Sequence, residues 1–179
     1  MIKCCYPFKG FTNKSITQGY NSNHFAVDFT APYGTFMVAP FNCKISCIVS
    51  GNVLDNSVSG LESGYGIRMV SIEDPNVSVC YWHCLPVFPV SVGDTVLQGF
   101  PVAQMGNSGY VLSNSELVPL SKRLIPPNLG THCHCSMNIK GESIEGIVDI
   151  RNYWDRTIEI KYDLKTTILS LINKIKNII

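Results

Sequence analysis

Short apolar segments separated by turn residues dominate this chain between residues 15 and 150. Five of these segments are rich in β-branched and aromatic residues, and they span 36–39, 43–50, 67–72, 77–83 and 131–139. Glycine, proline, asparagine and aspartate lie between them, which is typical of short strands joined by tight turns. The pattern predicts a mainly β fold, built as an antiparallel sheet or a barrel-like sandwich.

The last part of the chain changes from the strand pattern to a helical periodicity. Apolar residues recur at intervals of four and three positions, at Leu164, Ile168, Leu171, Ile175 and Ile178. This seam predicts an amphipathic helix over 156–179, after a single domain over 1–155. We expect the helix to pack on its own domain. Self-association or docking to a larger assembly through 160–179 is the first alternative, and a membrane-surface position is the second.

Composition limits the classes of partner. A formal net charge of +1 over 179 residues gives no electrostatic case for nucleic-acid binding. We expect neither a signal peptide nor a transmembrane segment, since no apolar run reaches about 18 residues. The eight cysteines, without a secretion signal, favour free thiols made in a reducing cytoplasm over disulfides or a cysteine zinc site.

The four histidines fall into a pattern that suits a catalytic metal. His24 precedes Asp28 by four residues, His83 lies in a strand-like segment, and His132 and His134 alternate along another segment. Alternation places the last two on one face of a strand. One carboxylate and two imidazoles are ordinary zinc ligands that leave a coordination position open, and two further imidazoles suit proton transfer near neutral pH. The pattern alone does not divide these roles among the histidines.

The same alternation predicts where the neighbouring cysteines point. Cys133 and Cys135 should lie on the face opposite the two histidines of their segment. His83 is expected to share a face with the tyrosine two residues before it, with Cys80 and Cys84 opposite. A buried free cysteine behaves as a small apolar residue, so we expect these four cysteines in the core.

The sequence resembles the M23 metallopeptidases, the lysostaphin-like or LytM-like peptidoglycan endopeptidases, from about residue 16 to 140. The matching motifs are HxxxD at 24–28, APYGT at 31–35, GYG at 64–66, YWH at 81–83, VGDTVLQG at 92–99, GNSG at 106–109 and GTHCH at 130–134. This resemblance implies a LytM-like β fold. It also implies that His24, Asp28 and His134 bind Zn²⁺ and that His83 and His132 are the catalytic imidazoles.

The function implied by the resemblance is hydrolysis of peptide bonds in bacterial peptidoglycan, with zinc-activated water as the nucleophile. The alternative is a noncatalytic wall-binding or structural module on the same fold, such as a phage tail component. Either would act at the bacterial cell wall, as part of a virion, after lysis, or after export without a recognisable signal.

One segment departs from the family pattern. Residues 110–130 form an insert where the family has only a few residues, and it contains three prolines beside the basic pair Lys122 and Arg123. It predicts a long surface loop with at most a helical turn. Loops of this length are often lids or binding loops, so we expect the insert beside the cleft; an insertion without a role is the alternative.

Overall fold

Antiparallel strands make up most of the structure, a computed structural model that describes residues 2–49, 64–113 and 116–161. In chain order the strands are β1 (Ile16–Gln18), β2 (Val27–Phe29), β3 (Phe36–Val38), β4 (Cys43–Val49), β5 (Tyr65–Ser71), β6 (Ser78–Cys84), β7 (Thr95–Val96), β8 (Pro101–Gln104), β9 (Leu112–Ser113), β10 (Glu116–Leu117), β11 (Cys133–Asn138) and β12 (Ile147–Val148). One helical turn, α1 (Leu120–Arg123), lies between β10 and β11. The prediction of a mainly β fold is confirmed.

The largest sheet brings distant parts of the sequence together. Its strand order is β1-β2-β11-β6-β5-β4-β7, and β12 pairs with β11. The strands β3 and β8 form a second sheet, and β9 and β10 form a third within the insert. Because β2, β11 and β6 are adjacent, His134 lies directly between Asp28 on one side and Trp82 on the other.

The core lies against one face of the large sheet. Along β11, burial alternates strictly: Cys133, Cys135 and Met137 are buried, while the residues between them are partly exposed. This is the period-two pattern of a strand with one face covered. The segment before β1 also contributes to the core, since Phe8 and Phe11 pack on Phe29 with ring centroids 6.0 and 5.8 Å apart.

The five predicted strands correspond to β3, β4, β5, β6 and β11, with ends that differ by one or two residues. The shortest strands, including β1 and β2, were not among the predictions, because two or three residues are too few to show alternation. Residues 156–161 form a turn and irregular backbone. The rest of the predicted C-terminal helix, 162–179, lies outside the described residues. In the part of the chain that is described, no helix is long and apolar enough to cross a bilayer.

The cysteines are all free thiols, and six of the eight are buried. The prediction of core positions holds for Cys84, Cys133 and Cys135 but is wrong for Cys80, which lies partly exposed on the opposite face of the sheet. The reason is that Tyr81 takes the core position, where its hydroxyl donates to the carbonyl of Val38 at 3.0 Å.

Thiol chemistry should distinguish the cysteines. Burial raises the pKa of Cys4, Cys5 and Cys43 to about 12 and that of Cys80 to about 11, whereas Cys47 is exposed. The thiolate is the reactive form of a cysteine. A thiol reagent should therefore modify Cys47 rapidly in the native protein and the other seven cysteines only after denaturation. Counting modified thiols in wild type and Cys47→Ser tests this; a fast phase that survives the substitution would contradict it.

Candidate metal centre

One cleft of about 620 Å³ contains all five residues that the resemblance singles out. Its lining residues are Thr17, Gln18, His24, Asp28, His83, Tyr110, Leu112, His132 and His134. They come from β1, β2, β6, β11 and the loops beside them, so residues more than 100 positions apart in the sequence meet here.

Three of these side chains converge on one point. His24 Nε2 lies 3.2 Å from Asp28 Oδ1, His134 Nδ1 lies 3.0 Å from the same oxygen, and the two ring nitrogens are 3.3 Å apart. Within the described residues, these three form the one group of histidine, cysteine and acidic side chains arranged to hold a metal ion.

The backbone around this group explains how it forms. Asp28 and His134 are register partners on β2 and β11, so both side chains leave the same face of the sheet. His24 lies in a tight turn, where its backbone exchanges hydrogen bonds with Asn21. Its Nδ1 donates to the carbonyl of Gly19 at 3.2 Å, which leaves Nε2 as the atom that faces Asp28. A hydrogen bond of this kind fixes the tautomer and orientation of a metal-binding imidazole.

Asp28 is a buried carboxylate held in its charged form. Burial raises its pKa, but the imidazoles of His134, His132 and His24 together lower it by more, so the net pKa falls below its usual value. Its Oδ1 atom has no hydrogen-bond partner within the described residues, although two imidazole nitrogens lie near it. A buried charged oxygen without a donor is costly, and a cation at the point of convergence would satisfy it.

Zinc fits the spacing of the three atoms. A tetrahedral ion bound at about 2.0–2.1 Å holds its ligands about 3.3 Å from one another. The observed separations are 3.0, 3.2 and 3.3 Å. The donor set, two imidazoles and a carboxylate, is also one that zinc accepts in catalytic sites.

The other two histidines form a pair beside this group. The ring centroids of His83 and His132 are 4.6 Å apart, and His83 lies 6.1 Å from His134. Each uses Nδ1 to donate to a backbone carbonyl, His83 to Ser108 at 2.7 Å and His132 to Gly130 at 2.8 Å. Neither Nε2 has a hydrogen-bond partner within the described residues, so this atom is left in each ring to act in the cleft.

His83 reaches the cleft through a break in strand alternation, so it does not share the face of Tyr81 as predicted. On β5 and β6, Tyr65 pairs with Cys84 and Ile67 pairs with Tyr81, which places two residues of β6 opposite one residue of β5. His83 sits in this bulge with φ of 60°. A bulge of this kind redirects a side chain, and it returns Cys84 to the core.

The environment keeps His83 neutral. The ring is buried, and burial together with the nearby His132 lowers the pKa of His83 to about 3. At pH 7 the imidazole is therefore uncharged, and because Nδ1 carries the proton, Nε2 offers a lone pair.

Glycine at position 64 allows the loop around Ser108, whose carbonyl binds His83, to approach the sheet closely. Gly64 has φ of 68°, and a Cβ atom there would lie 2.5 Å from the backbone of Ser108. No larger residue fits without moving that loop, which is a physical reason for the glycine in the GYG motif.

The insert forms one wall of the cleft, as predicted. Tyr110 and Leu112 line it together with Thr17 and Gln18 of β1. Sequence reasoning did not single out these four side chains, because they follow no motif of ligands or proton carriers. The hydroxyl of Tyr20, four residues before His24, donates to the carbonyl of Ile147 at 3.1 Å.

No protein-family model and no curated protein matches the sequence. The fold is nevertheless that of the M23, LytM-like peptidases. The chain is similar to LytU, with 22% identity and a TM-score of 0.58 over 81% of this chain and 87% of that chain. It is also similar to the antimicrobial peptidase lysostaphin from Staphylococcus simulans, with 21% identity and a TM-score of 0.56 over 78% of this chain and 48% of that chain.

A third similar structure is a zinc-containing peptidase from Vibrio cholerae, with 18% identity and a TM-score of 0.58. The match covers 90% of this chain and 40% of that chain. At these identities the likeness shows the fold.

Proposed function

We propose that this protein is a zinc-dependent endopeptidase that hydrolyses peptide bonds in bacterial peptidoglycan. The observation that carries the proposal is the cleft itself: three ligand atoms spaced for one tetrahedral ion lie beside two imidazoles with available Nε2 atoms. Metal-assisted hydrolysis requires this combination of an open metal site and nearby proton carriers.

His24, Asp28 and His134 would hold the zinc. When bound, zinc supplies a Lewis acid that lowers the pKa of water and polarises a carbonyl group. The carbonyl of Gly19 and the register between β2 and β11 keep the three ligand side chains oriented before an ion arrives. A site organised in advance loses little free energy to rearrangement on binding.

His83 and His132 would move the protons of the reaction. A neutral Nε2 accepts a proton as the nucleophile forms, and the resulting imidazolium can donate it to the departing amine or stabilise the developing oxyanion. Their hydrogen bonds to Ser108 and Gly130 hold both rings in the tautomer that leaves Nε2 free to accept. The two rings share a tautomer but differ in environment, since burial lowers the pKa of His83 to about 3 and makes its Nε2 a weak proton acceptor.

Peptidoglycan is proposed as the substrate from the family that the sequence resembles. One structural neighbour, lysostaphin, is described as an antimicrobial peptidase, and another as a zinc-containing peptidase. Both descriptions agree with hydrolysis of a peptide bond, and the first agrees with a bacterial target. The alternative, a noncatalytic wall-binding module, would not require two imidazoles poised beside a metal site.

A peptidoglycan suspension tests the proposal. We expect the purified protein to clear the suspension and release new amino groups, a chelator to stop both, and added zinc to restore them. Products from defined muropeptides, identified by mass, would give the bond that is cut. Binding to the wall with no release of amino groups, by protein shown to contain zinc, would refute the enzyme and favour the binding module.

A further inference from the structure

The insert over 110–130 is joined to the cleft by a buried arginine. Arg123, the last residue of α1, has no exposed surface. Its Nε donates to the carbonyl of Val118 at 2.7 Å, and its Nη1 donates to the carbonyls of Asn107, at 3.2 Å, and Gly109. A guanidinium is always charged, and burying it is costly unless such hydrogen bonds compensate. The arginine therefore holds these three carbonyls firmly in place.

Two of those carbonyls flank the residue that orients His83. The carbonyls of Asn107 and Gly109 face Arg123, and the carbonyl between them, from Ser108, accepts the Nδ1 proton of His83 at 2.7 Å. The guanidinium thus holds the backbone on both sides of the Ser108 carbonyl and restrains this carbonyl in the direction of the imidazole.

The Ser108 side chain does not by itself fix that carbonyl. Its hydroxyl donates to the carbonyl of Cys84 at 2.7 Å and accepts from the amide of Tyr65 at 2.9 Å, so it ties the loop to β5 and β6. The Ser108 carbonyl belongs to the peptide unit between Ser108 and Gly109, and Arg123 binds the carbonyls of the peptide units on either side of that one.

The second imidazole depends on the same insert. His132 Nδ1 donates to the carbonyl of Gly130, and a Cβ at that glycine would lie 3.0 Å from a methyl of Val111 and 3.2 Å from a methyl of Val118. Both valines are buried residues of the insert, and the carbonyl of Val118 is held by Arg123.

The side chain of Asn107 also binds the backbone of the insert. Its Nδ2 donates to the carbonyls of Arg123, at 3.1 Å, and Leu129, at 3.0 Å. Arg123 and Asn107 therefore bind each other's backbone. The start of the insert, its helical turn and its end are fixed relative to the loop that carries Ser108.

We propose that Arg123 is a positioning residue that holds His83 with its proton on Nδ1 and its Nε2 toward the cleft, acting through the backbone on either side of Ser108. The proposal rests on the proposed peptidase function for its kinetic consequence. The insert then helps to orient the imidazoles. Lysine cannot replace the arginine, because it lacks the planar guanidinium whose N–H groups reach three carbonyls.

Arg123→Lys tests this role, with Lys122→Gln as the matched control because Lys122 is the exposed neighbour on the same turn. We expect Arg123→Lys to lower kcat about 100-fold with little change in KM, since small misplacement of a catalytic group has an effect of this size. Zinc content should stay at the wild-type value. Nitrogen NMR of the four imidazoles should show His83 protonated on Nδ1 in wild type and in Lys122→Gln, and a mixture of tautomers in Arg123→Lys.

Several results would overturn the proposal. One is a wild-type His83 protonated on Nε2, and another is an Arg123→Lys protein with wild-type kcat and tautomer. If Arg123→Lys is unstable, kcat and the His83 tautomer are measured in Arg123→Gln and compared with wild type per folded chain. An unchanged His83 tautomer in the folded variant would show that Arg123 only stabilises the structure. The NMR comparison does not depend on hydrolysis. A wild-type protein without peptidase activity would refute the proposed function, whereas the tautomers would still decide the role of Arg123.

Discussion

His134→Ala is expected to abolish both zinc binding and peptide hydrolysis. The substitution removes the nitrogen that lies 3.0 Å from Asp28 Oδ1 and 3.3 Å from His24 Nε2, and only two ligand atoms remain. A metal Lewis acid contributes several kcal/mol to the transition state, and each 1.4 kcal/mol is about tenfold in rate. The rate should therefore fall by about a thousandfold or more.

Ser136→Ala is the matched control for this experiment. Ser136 lies two residues further along β11, on the same face of the sheet, but is not among the residues that line the cleft. Zinc per chain, measured after equilibrium dialysis, and amino groups released from peptidoglycan are followed in both variants. We expect the control to keep zinc and activity. An active His134→Ala protein would show that the metal site is assigned wrongly.

The fold could be predicted from the sequence where a strand is long enough to show its alternation. In β11, Cys133 and Cys135 point to the core and His134 points to the cleft, as the period of two requires. The pairing of β2 with β11 could not be derived, because β2 has three residues, all buried, and gives no alternating pattern. The contact between Asp28 and His134 was accessible only through the resemblance of motifs.

Backbone irregularity limited the prediction at His83. Strict alternation assigns His83 to the face of Tyr81, but the bulge places His83 at the cleft and returns Cys84 to the core. A bulge depends on how two strands pair, which a single strand sequence does not reveal. The positive φ of His83 is also unfavourable for a residue with a Cβ atom and is maintained by the surrounding contacts.

The insert shows a different limit of prediction from sequence, because its two basic residues have opposite burial. The prolines and the basic pair at 122 and 123 indicated a solvated surface loop, and the loop does lie beside the cleft. Of the two basic residues, however, Lys122 is exposed and Arg123 is completely buried. Only the tertiary arrangement of the carbonyls of Asn107, Gly109 and Val118 distinguishes these two positions.

His83→Gln and His132→Gln should each lower kcat by about a hundredfold to ten-thousandfold while zinc stays bound. General acid–base catalysis contributes effects of this size. Glutamine keeps a hydrogen-bonding side chain of similar reach but cannot carry a proton between reacting groups. Neither histidine belongs to the group of ligand atoms formed by His24, Asp28 and His134, so zinc content should match wild type.

The double variant shows whether the two imidazoles act as one unit. If both serve the same proton transfer, the double variant should be about as slow as the slower single variant, because residues that act as a unit are not additive. If they serve separate steps, the losses should multiply. Steady-state kinetics on one defined peptide, with zinc measured on the same samples, distinguishes these cases. Wild-type kcat in either single variant would remove that histidine from catalysis, and loss of zinc in either would place it among the ligands instead.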